Sequence, residues 1–265
     1  MNVLARYGRL FAHFVTFSIG RAFEFRFDFY MRIIMDLFYY AIAIAFFKII
    51  YLHTGQLGGW NEPQIFIFVA GYCMVDALLM TFIANNMWWL PQTINKGELD
   101  YYLVRPVSTL FFVSLRDFAV PSLINLAFTF GIMIWAVLRY PVAIPMWKML
   151  IFFLGIVNGC FIFYCLNVMA NILVFWTHSA RGFGELVWHL ARLGERPDRI
   201  YRGWVRRILI FVFPFLVISS FPARVVLDPF DWKILAHMIG VSIALFTATL
   251  SLWKLGLRSY SSASS

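Results

Sequence analysis

Two acidic residues, Asp36 and Asp76, lie inside apolar stretches of the sequence and are the first candidates for chemistry. A charged side chain that faces lipid costs several kcal/mol, so both are expected to face protein or water. Arg32 stands four residues before Asp36, which is the spacing of an ion pair on one helix face. Asp76 has no charged residue at helical spacing. Two roles are open for Asp76: it accepts a hydrogen bond from another helix, or it attracts a cation or faces a substrate.

Motifs for catalysis are absent from the sequence. It contains no GxxxxGK[ST] loop for nucleotide phosphates, and its five His are scattered with no HExxH pattern for zinc. No serine stands in a GxSxG turn. The sequence therefore predicts no catalytic residue, no metal site and no cofactor bound by this chain.

The composition indicates a protein whose main solvent is lipid. Of 265 residues, 62% are hydrophobic and only 13% are charged, whereas soluble domains are about half apolar and about a quarter charged. The net charge of +9 suggests nucleic acid at first sight. Lys and Arg also gather in the cytoplasmic loops of membrane proteins. Because most basic residues here fall between predicted spans on one side, we expect no nucleic-acid partner.

Six apolar segments predict membrane-spanning helices. Such a helix needs about 20 mainly apolar residues. The spans are predicted at residues 33–52, 64–84, 111–138, 149–176, 208–221 and 234–255. The sequence thus predicts an all-α integral membrane protein whose transmembrane domain covers residues 29–258.

Three polar segments complete the predicted architecture. Residues 1–28 are too charged to span, and their alternating Phe and charged residues favour an N-terminal amphipathic helix at the membrane interface. Residues 259–265 predict a flexible tail. The Arg-rich segment 177–207 contains the amphipathic stretch GFGELVWHLARL. We expect it on the cytoplasmic surface, on the same side as both termini.

The stretch NKGELDYYLVRPVS, residues 95–108, places charges between two apolar segments. Gly97 opens a turn and Pro106 ends the stretch, while apolar and acidic side chains between them recur at helical spacing. This pattern predicts a short amphipathic helix in the plane of the membrane, with its carboxylates toward the cytosol. A surface helix of this kind suits docking against a soluble partner.

This stretch resembles the signature G-x-L-D-x-x-L-x-R-P of permease subunits in the type-2 ABC exporter (ABC-2) superfamily. The matching residues are Gly97, Leu99, Asp100, Leu103, Arg105 and Pro106. A second likeness is a Pro, a Tyr-x-Gly-Trp run and a span that ends in Phe-Pro-Ala, carried by Pro197, Ile200, Tyr201, Gly203, Trp204, Pro214, Phe221, Pro222 and Ala223. With the six spans, the resemblance covers nearly the whole chain.

The resemblance implies a multi-pass subunit of a bacterial cytoplasmic (inner) membrane exporter. It would pair with a second permease, identical or paralogous, and with two cytosolic ABC ATPase subunits that bind ATP and Mg. The coupling helix that contacts the ATPase would be formed by Lys96, Gly97, Glu98, Leu99, Asp100, Tyr102, Leu103, Arg105 and Pro106.

The resemblance also implies where a substrate would cross. A re-entrant hairpin on the outer side, residues 221–232 between spans five and six, would include Phe221, Pro222, Ala223 and Arg224. The cavity would lie between two permeases, lined by the first, second and fifth spans, with Asp36 and Asp76 as candidates for the translocation path. The implied cargo is lipid-like, drug-like or otherwise amphiphilic, moved by alternating access.

Three other classes of protein are compatible with parts of the sequence. An ATP-independent secondary transporter or channel would need an inverted repeat and several charges at the midplane. A membrane-embedded transferase would need a convergent cluster of His or carboxylates, and a scaffold would need only anchoring surfaces. The sequence shows no clear repeat and no such cluster.

Overall fold

The computed structural model describes residues 3–179 and 183–260. Within these ranges the regular structure is helical, apart from one isolated bridge between Leu57 and Trp60. Its α-helices are α1 (Val3–Glu24), α2 (Arg26–Tyr51), α3 (Glu62–Leu79), α4 (Asn85–Asn95), α5 (Asp100–Leu103), α6 (Thr109–Leu115), α7 (Val120–Arg139), α8 (Met146–Ile172), α9 (Val174–Thr177), α10 (Phe183–Ala191), α11 (Gly203–Phe211), α12 (Phe215–Leu227) and α13 (Trp232–Ser259). The predicted tail beyond residue 260 lies outside the described residues.

Five helical segments in these ranges are long and apolar enough to cross a membrane. They are α2, α7, α13, α3 with α4 (Glu62–Asn95), and α8 with α9 (Met146–Thr177). A sixth candidate is α11 with α12, a pair bent by 90°. The prediction of an all-α integral membrane protein is confirmed.

The segment α3–α4 is the central helix of the bundle. A reciprocal cap begins it: Asn61 Oδ1 accepts from the Gln64 amide N–H at 3.1 Å, and Gln64 Oε1 accepts from the Asn61 N–H at 2.9 Å. The residues of α3 after Gln64 are apolar except Asp76 and are mostly buried, which is the pattern of a helix surrounded by others. A π-helical turn, Met80–Ala84, joins α3 to α4.

The helices define two ends of the bundle. We call residues 96–108 the connector, and the end that carries it the connector end. There the Asn95 side chain donates to the His178 carbonyl at 3.1 Å, and Trp176 Nε1 donates to Ser259 Oγ at 3.1 Å. The far end carries the loop between α2 and α3 and the loop between α7 and α8.

Residues 183–200 run antiparallel to α8 and begin near the connector end. A Cβ built on Gly184 would lie 2.7 Å from Asn171 Oδ1, so α10 starts against the last turn of α8. One turn further along α10, the Trp188 ring meets Phe163 with ring centroids 4.7 Å apart. The segment therefore climbs beside α8 instead of lying across its end.

The same segment finishes at the far end. A Cβ built on Gly58, in the loop after α2, would lie 3.2 Å from Pro197 Cβ. Arg199 forms an ion pair with Asp228, whose carbonyl accepts from Lys148 Nζ in the first turn of α8 at 2.9 Å. Residues 183–200 thus cross the height of the bundle, and we call them the crossing segment.

This route differs from the predicted cytoplasmic loop at 177–207 and from the predicted fifth span at 208–221. The crossing consists of α10 followed by two 3-10 turns, Arg192–Glu195 and Asp198–Ile200. It is short, interrupted and charged, so it lacks the long apolar run by which a span is recognised. Its polar groups can lie at membrane depth because much of the segment packs against protein and not against lipid.

The pair α11–α12 forms a hairpin that enters and leaves at the far end. Its bend lies at 212–214, and α12 then runs antiparallel to α8 and ends beside Asp228. The predicted hairpin at 221–232 is therefore displaced. Phe221, Pro222, Ala223 and Arg224 lie within α12, because the chain turns earlier, before Phe215.

Small residues of α8 allow α12 to approach closely. A Cβ on Gly155 would lie 3.1 Å from Pro222 Cβ, and one on Gly159 would lie 2.3 Å from the Ile218 carbonyl oxygen. Pro222 has no N–H to donate to that carbonyl four residues earlier. Gly155 and Gly159 form a GxxxG pair, and they pack against the turn of α12 that lacks this backbone hydrogen bond.

Candidate functional site

The connector is shorter and less regular than the sequence predicted. After α4 ends, Gly97 adopts a φ of 74°, a left-handed conformation that favours glycine. Helix α5 then covers only Asp100–Leu103. Lys96, Arg105 and Pro106 are exposed in the flanking turns. The predicted amphipathic helix is therefore a single turn between two loops.

The side chains of α5 and its neighbours divide into an anchor and an exposed tip. Leu99 is fully buried, and Tyr102 packs on Phe112 with ring centroids 5.0 Å apart. Tyr101 and Val104 are 72% and 83% exposed. The sequence pattern predicts neither of these two as a contact residue, because it indicates a single apolar face turned toward the membrane. The usable signal was that they are apolar residues flanking the anchor positions.

Cations and a tyrosine of α1 hold the connector in place. The Arg116 guanidinium donates to the Tyr102 hydroxyl, and Arg105 lies over the Phe112 ring at 4.8 Å from its centroid. The Ser108 backbone N–H donates to the Tyr7 hydroxyl at 2.9 Å. The connector is thus tied both to α6 and to the N-terminal helix.

Helix α1 continues this attachment toward the central helix. Ser18 Oγ accepts from the Phe118 N–H at 3.1 Å, and Arg21 pairs with Asp117 at 2.5 Å. The Asp117 N–H donates to Asn86 Oδ1, in α4, at 2.9 Å. These bonds occupy the break between α6 and α7, where the sequence predicted one continuous third span.

The last described residue also touches the connector. Burial raises the pKa of Tyr260 to about 12, and the neighbouring Asp100 carboxylate adds to the rise. The Tyr260 ring meets Phe175 edge to face at 5.9 Å between centroids. The connector therefore borders the ends of α9 and α13.

A central cavity of about 360 Å³ lies at mid-height in the bundle. Its wall is made by α2, α3, α8, α12 and the crossing segment. Both acidic residues proposed from the sequence line it, together with Glu195, which sequence reasoning assigned to a cytoplasmic loop. The remaining polar and aromatic lining residues are Tyr39, Tyr72, Phe163, Trp188, His189, Arg192, Phe215 and Ser219.

Hydroxyl and amide groups, rather than cations, contact the carboxylates of this cavity. Asp76 accepts from the Tyr40 hydroxyl at 3.3 Å, and Glu195 accepts from the Tyr72 hydroxyl at 2.9 Å. A second tyrosine hydroxyl, that of Tyr39, reaches Glu195 at 3.2 Å. Tyrosine hydroxyls thus surround two carboxylates from neighbouring elements.

The predicted ion pair between Arg32 and Asp36 does not form. Arg32 donates to Asn85 Oδ1 at 3.2 Å and lies 3.9 Å from Asp28, while Asp36 accepts from Asn125 Nδ2 at 2.5 Å. The position of α7 decides this, because it brings Asn125 to the face of α2 that carries Asp36. In the described ranges, no basic side chain forms an ion pair with a carboxylate of the cavity.

Carboxylates at the far end have different partners. Asp198 is fully buried and accepts from Arg206 at 2.5 Å and from Arg224 at 3.5 Å. Asp228 pairs with Arg199 and, at 3.4 Å, with Arg224. We call these five residues the far-end network. It fastens the crossing segment to both helices of the hairpin. In the two described ranges, no group of His, Cys, Asp and Glu is arranged to hold a metal ion.

Comparison with known proteins gives one match. A family model described as "ABC-2 family transporter protein" matches residues 37–264, from the middle of α2 to beyond α13. No curated protein and no solved structure matches the chain.

Proposed function

The chain belongs to the ABC-2 family of transporter proteins and is a permease subunit of an ABC transporter, and from this premise we propose that it exports an amphiphilic substrate. In the proposed cycle, separate ATPase subunits bind ATP and Mg and close on each other. The permease then alternates between inward-facing and outward-facing states. ATP drives the change only if it binds the closed state more tightly than the open one.

The observation that carries the proposal is the continuity between the connector and the cavity. Glu62–Asn95 is one membrane-length helical segment, and it leads directly into the connector. Asp76 lies on the same segment, at the central cavity. Because a helix is stiff along its axis, a force on Tyr101 and Val104 would move the cavity wall. The exposed apolar tip is the surface offered to the ATPase.

We further propose that the connector end faces the bacterial cytoplasm, with both termini, and that the far end faces outward. Arg6, Arg9 and Arg21 belong to α1 at the connector end, and Lys254 and Arg258 lie near the end of α13 there. Basic residues that flank spans favour the cytoplasmic side, but the structure also places Arg199, Arg202 and Arg206 at the far end. The orientation therefore rests on the connector, which a cytosolic ATPase can contact only from the cytoplasmic side. The hairpin α11–α12 would then open to the outside.

A second permease, identical or paralogous, would complete the transporter, with one ATPase on each. Arg192 and Arg196 support this, since both are exposed although they lie within the crossing segment. A guanidinium at mid-height is costly against lipid, so it is expected to face water or protein. A second subunit beside the crossing segment would supply such a setting.

Removal of the exposed tip tests the coupling proposal. The double variant Tyr101→Ala, Val104→Ala should weaken recovery of the ATPase with the tagged permease by about tenfold, and ATP-dependent export with it, because apolar anchors dominate such interfaces. Tyr30→Ala with Val142→Ala removes the same side chains from exposed sites elsewhere and serves as the control. Equal recovery from both double variants would contradict the assignment of the connector.

One observation favours a second candidate, an ATP-independent secondary transporter. Such proteins place charges at the bilayer midplane, and the fold brings Asp36, Asp76 and Glu195 to one cavity. Transport by the purified chain in vesicles without ATPase or ATP would favour this candidate. Transport that requires both would favour the exporter.

A further inference from the structure

A second cavity, of about 190 Å³, lies between the central cavity and the connector end. We call it the inner cavity. It is lined by α4, the last turns of α8 and the start of α10, with Gln92, Asn167, Asn171, Glu185, Trp88 and Trp188 among its residues. All six of these side chains are polar or aromatic.

An unpaired hydrogen-bond acceptor lines the inner cavity. Asn167 is fully buried, and its side-chain nitrogen donates to the Phe163 carbonyl at 3.4 Å. Its Oδ1 has no partner among the described residues. A buried acceptor left unsatisfied costs about 1–3 kcal/mol. A ligand that brings a donor or a positive charge to this oxygen would recover that energy.

Trp188 is the wall between the two cavities, because it lines both. Its ring stands edge to face on Phe163, with centroids 4.7 Å apart, and tilts against Trp88 at 5.9 Å. Its indole N–H is buried and has no partner within the described ranges. Packing rather than a hydrogen bond from the described residues therefore holds the side chain, and a change of rotamer would join the cavities without breaking a hydrogen bond.

The central cavity beyond Trp188 is negatively charged. Asp36, Asp76 and Glu195 line it, and the basic side chains in its wall are Arg192 and His189. From the residues that the structure describes, the carboxylates receive hydroxyl and amide hydrogens only. Aromatic faces and carboxylates without cationic partners are the groups that recognise an organic cation.

We propose that the two cavities form one path for an organic cation with an apolar or aromatic body, and that Trp188 is the gate between them. The inference rests on the proposed export function and names its substrate class. The cation meets Asn167 Oδ1 first, passes Trp188, and is then held by Asp76 and Glu195. An anion of the same size finds acceptors where it needs donors.

Matched probes test the charge preference. The full chain in lipid nanodiscs is equilibrated with tetraphenylphosphonium or with tetraphenylborate, ions of similar shape and opposite charge. We expect saturable binding of the cation and only nonspecific uptake of the anion. Asp76→Asn with Glu195→Gln should weaken cation binding by about tenfold or more, and the control Glu62→Gln, a carboxylate at the far end, should leave it unchanged.

The gate has its own readout. Trp188→Ala should raise the rates of cation association and dissociation at least several-fold and should change the equilibrium affinity far less. Trp232→Ala, which removes an exposed indole at the far end, is the control. Unchanged rates in Trp188→Ala would overturn the gate.

Failure of this inference can be told apart from failure of the export function. Saturable borate binding, or undiminished phosphonium binding by the double carboxylate variant, would overturn the cation path. Neither result would bear on recovery of the ATPase with the tagged permease, because that recovery depends on the connector. If the double variant misfolds, as judged by size-exclusion chromatography, the single amide variants Asp36→Asn and Asp76→Asn are used. Phosphonium affinity unchanged in both would overturn the assignment.

Discussion

Two sets of buried or half-buried carboxylates in this protein have different kinds of partner. In the far-end network, Asp198 and Asp228 are each held by two guanidinium groups. At the central cavity, the partners of Asp36, Asp76 and Glu195 within residues 3–179 and 183–260 are hydroxyl or amide groups only. Each set includes one carboxylate of the crossing segment, Glu195 in the cavity and Asp198 in the network, so position in the fold alone does not explain the difference.

The difference separates charges that hold the fold from charges available to a ligand. A buried carboxylate whose cation is supplied by the protein gains nothing from a second cation, and loss of either partner leaves an uncompensated charge. A carboxylate that has only neutral donors lacks a compensating cation, so an incoming cation can supply that compensation. The far-end network is therefore structural, and the cavity carboxylates are candidates for substrate binding.

The largest expected effect is a difference in cysteine labelling between the two ends of the crossing segment, which should lie on opposite sides of the membrane. The native cysteines are all buried, so an added cysteine reports its own position. We expect Ile200→Cys to label from the same side as Val142→Cys, and Glu185→Cys from the opposite side, with Val104→Cys. Labelling of 185 and 200 from one side would break the comparison, because the far-end network would not exist.

Loss of the buried acid of the network should have the largest effect on stability. Asp198→Asn leaves Arg206 and Arg224 without their shared anion, and we expect about 3 kcal/mol of destabilisation. The fraction of protein that survives heating in detergent measures it. Asp28→Asn is the control, since Asp28 is exposed and its ion pair with Arg32 is long, at 3.9 Å. This substitution should change stability by less than about 0.5 kcal/mol. Equal heat resistance of the two variants would contradict a structural role for the network.

A smaller effect is expected at the contact that positions α12, which carries Arg224 of the network and the cavity residue Ser219. Gly159→Ala would press a methyl group on the Ile218 carbonyl, and we expect about 2 kcal/mol of destabilisation. Gly131→Ala, in α7, meets nothing within 4 Å and should be neutral or stabilising by about 0.5 kcal/mol. If both variants melt alike, α8 and α12 are not packed through Gly159.

Substitution of a cavity carboxylate should change stability the least, and it should stabilise the protein where the substitutions above destabilise it. Asp76→Asn keeps the shape of the side chain and the contact with Tyr40, and it removes a charge that no cation compensates. We expect thermal stability to be unchanged or raised by about 1 kcal/mol, while cation binding falls. A loss as large as that of Asp198→Asn would show that Asp76 is structural, and the contrast between the two regions would disappear.

Features carried by long apolar runs could be predicted from the sequence. The all-helical membrane fold, the turn at Gly97 and the exceptional position of Asp36 and Asp76 inside apolar segments are all visible in the sequence. The coupling role of the connector remains a prediction. The signals are local: about 20 apolar residues, a glycine at a turn, or a charge within an apolar run each have meaning without knowledge of the neighbours.

Pairing between distant residues could not be predicted. Spacing favoured Arg32 as the partner of Asp36, yet Asn125 is 89 residues away along the chain and makes the contact. Glu195 and Trp188 were placed in a cytoplasmic loop because their segment is charged and interrupted. The structure places both at the central cavity.

The sequence by itself determined that this chain lies in a membrane and carries a charged turn between apolar helices, because transfer of side chains into lipid is an additive property of each segment. Only the tertiary structure decided which segment makes the sixth crossing, where the hairpin turns, and which carboxylates receive a cation. Those outcomes depend on low-dielectric contacts between residues far apart in the chain, and neither composition nor periodicity encodes them.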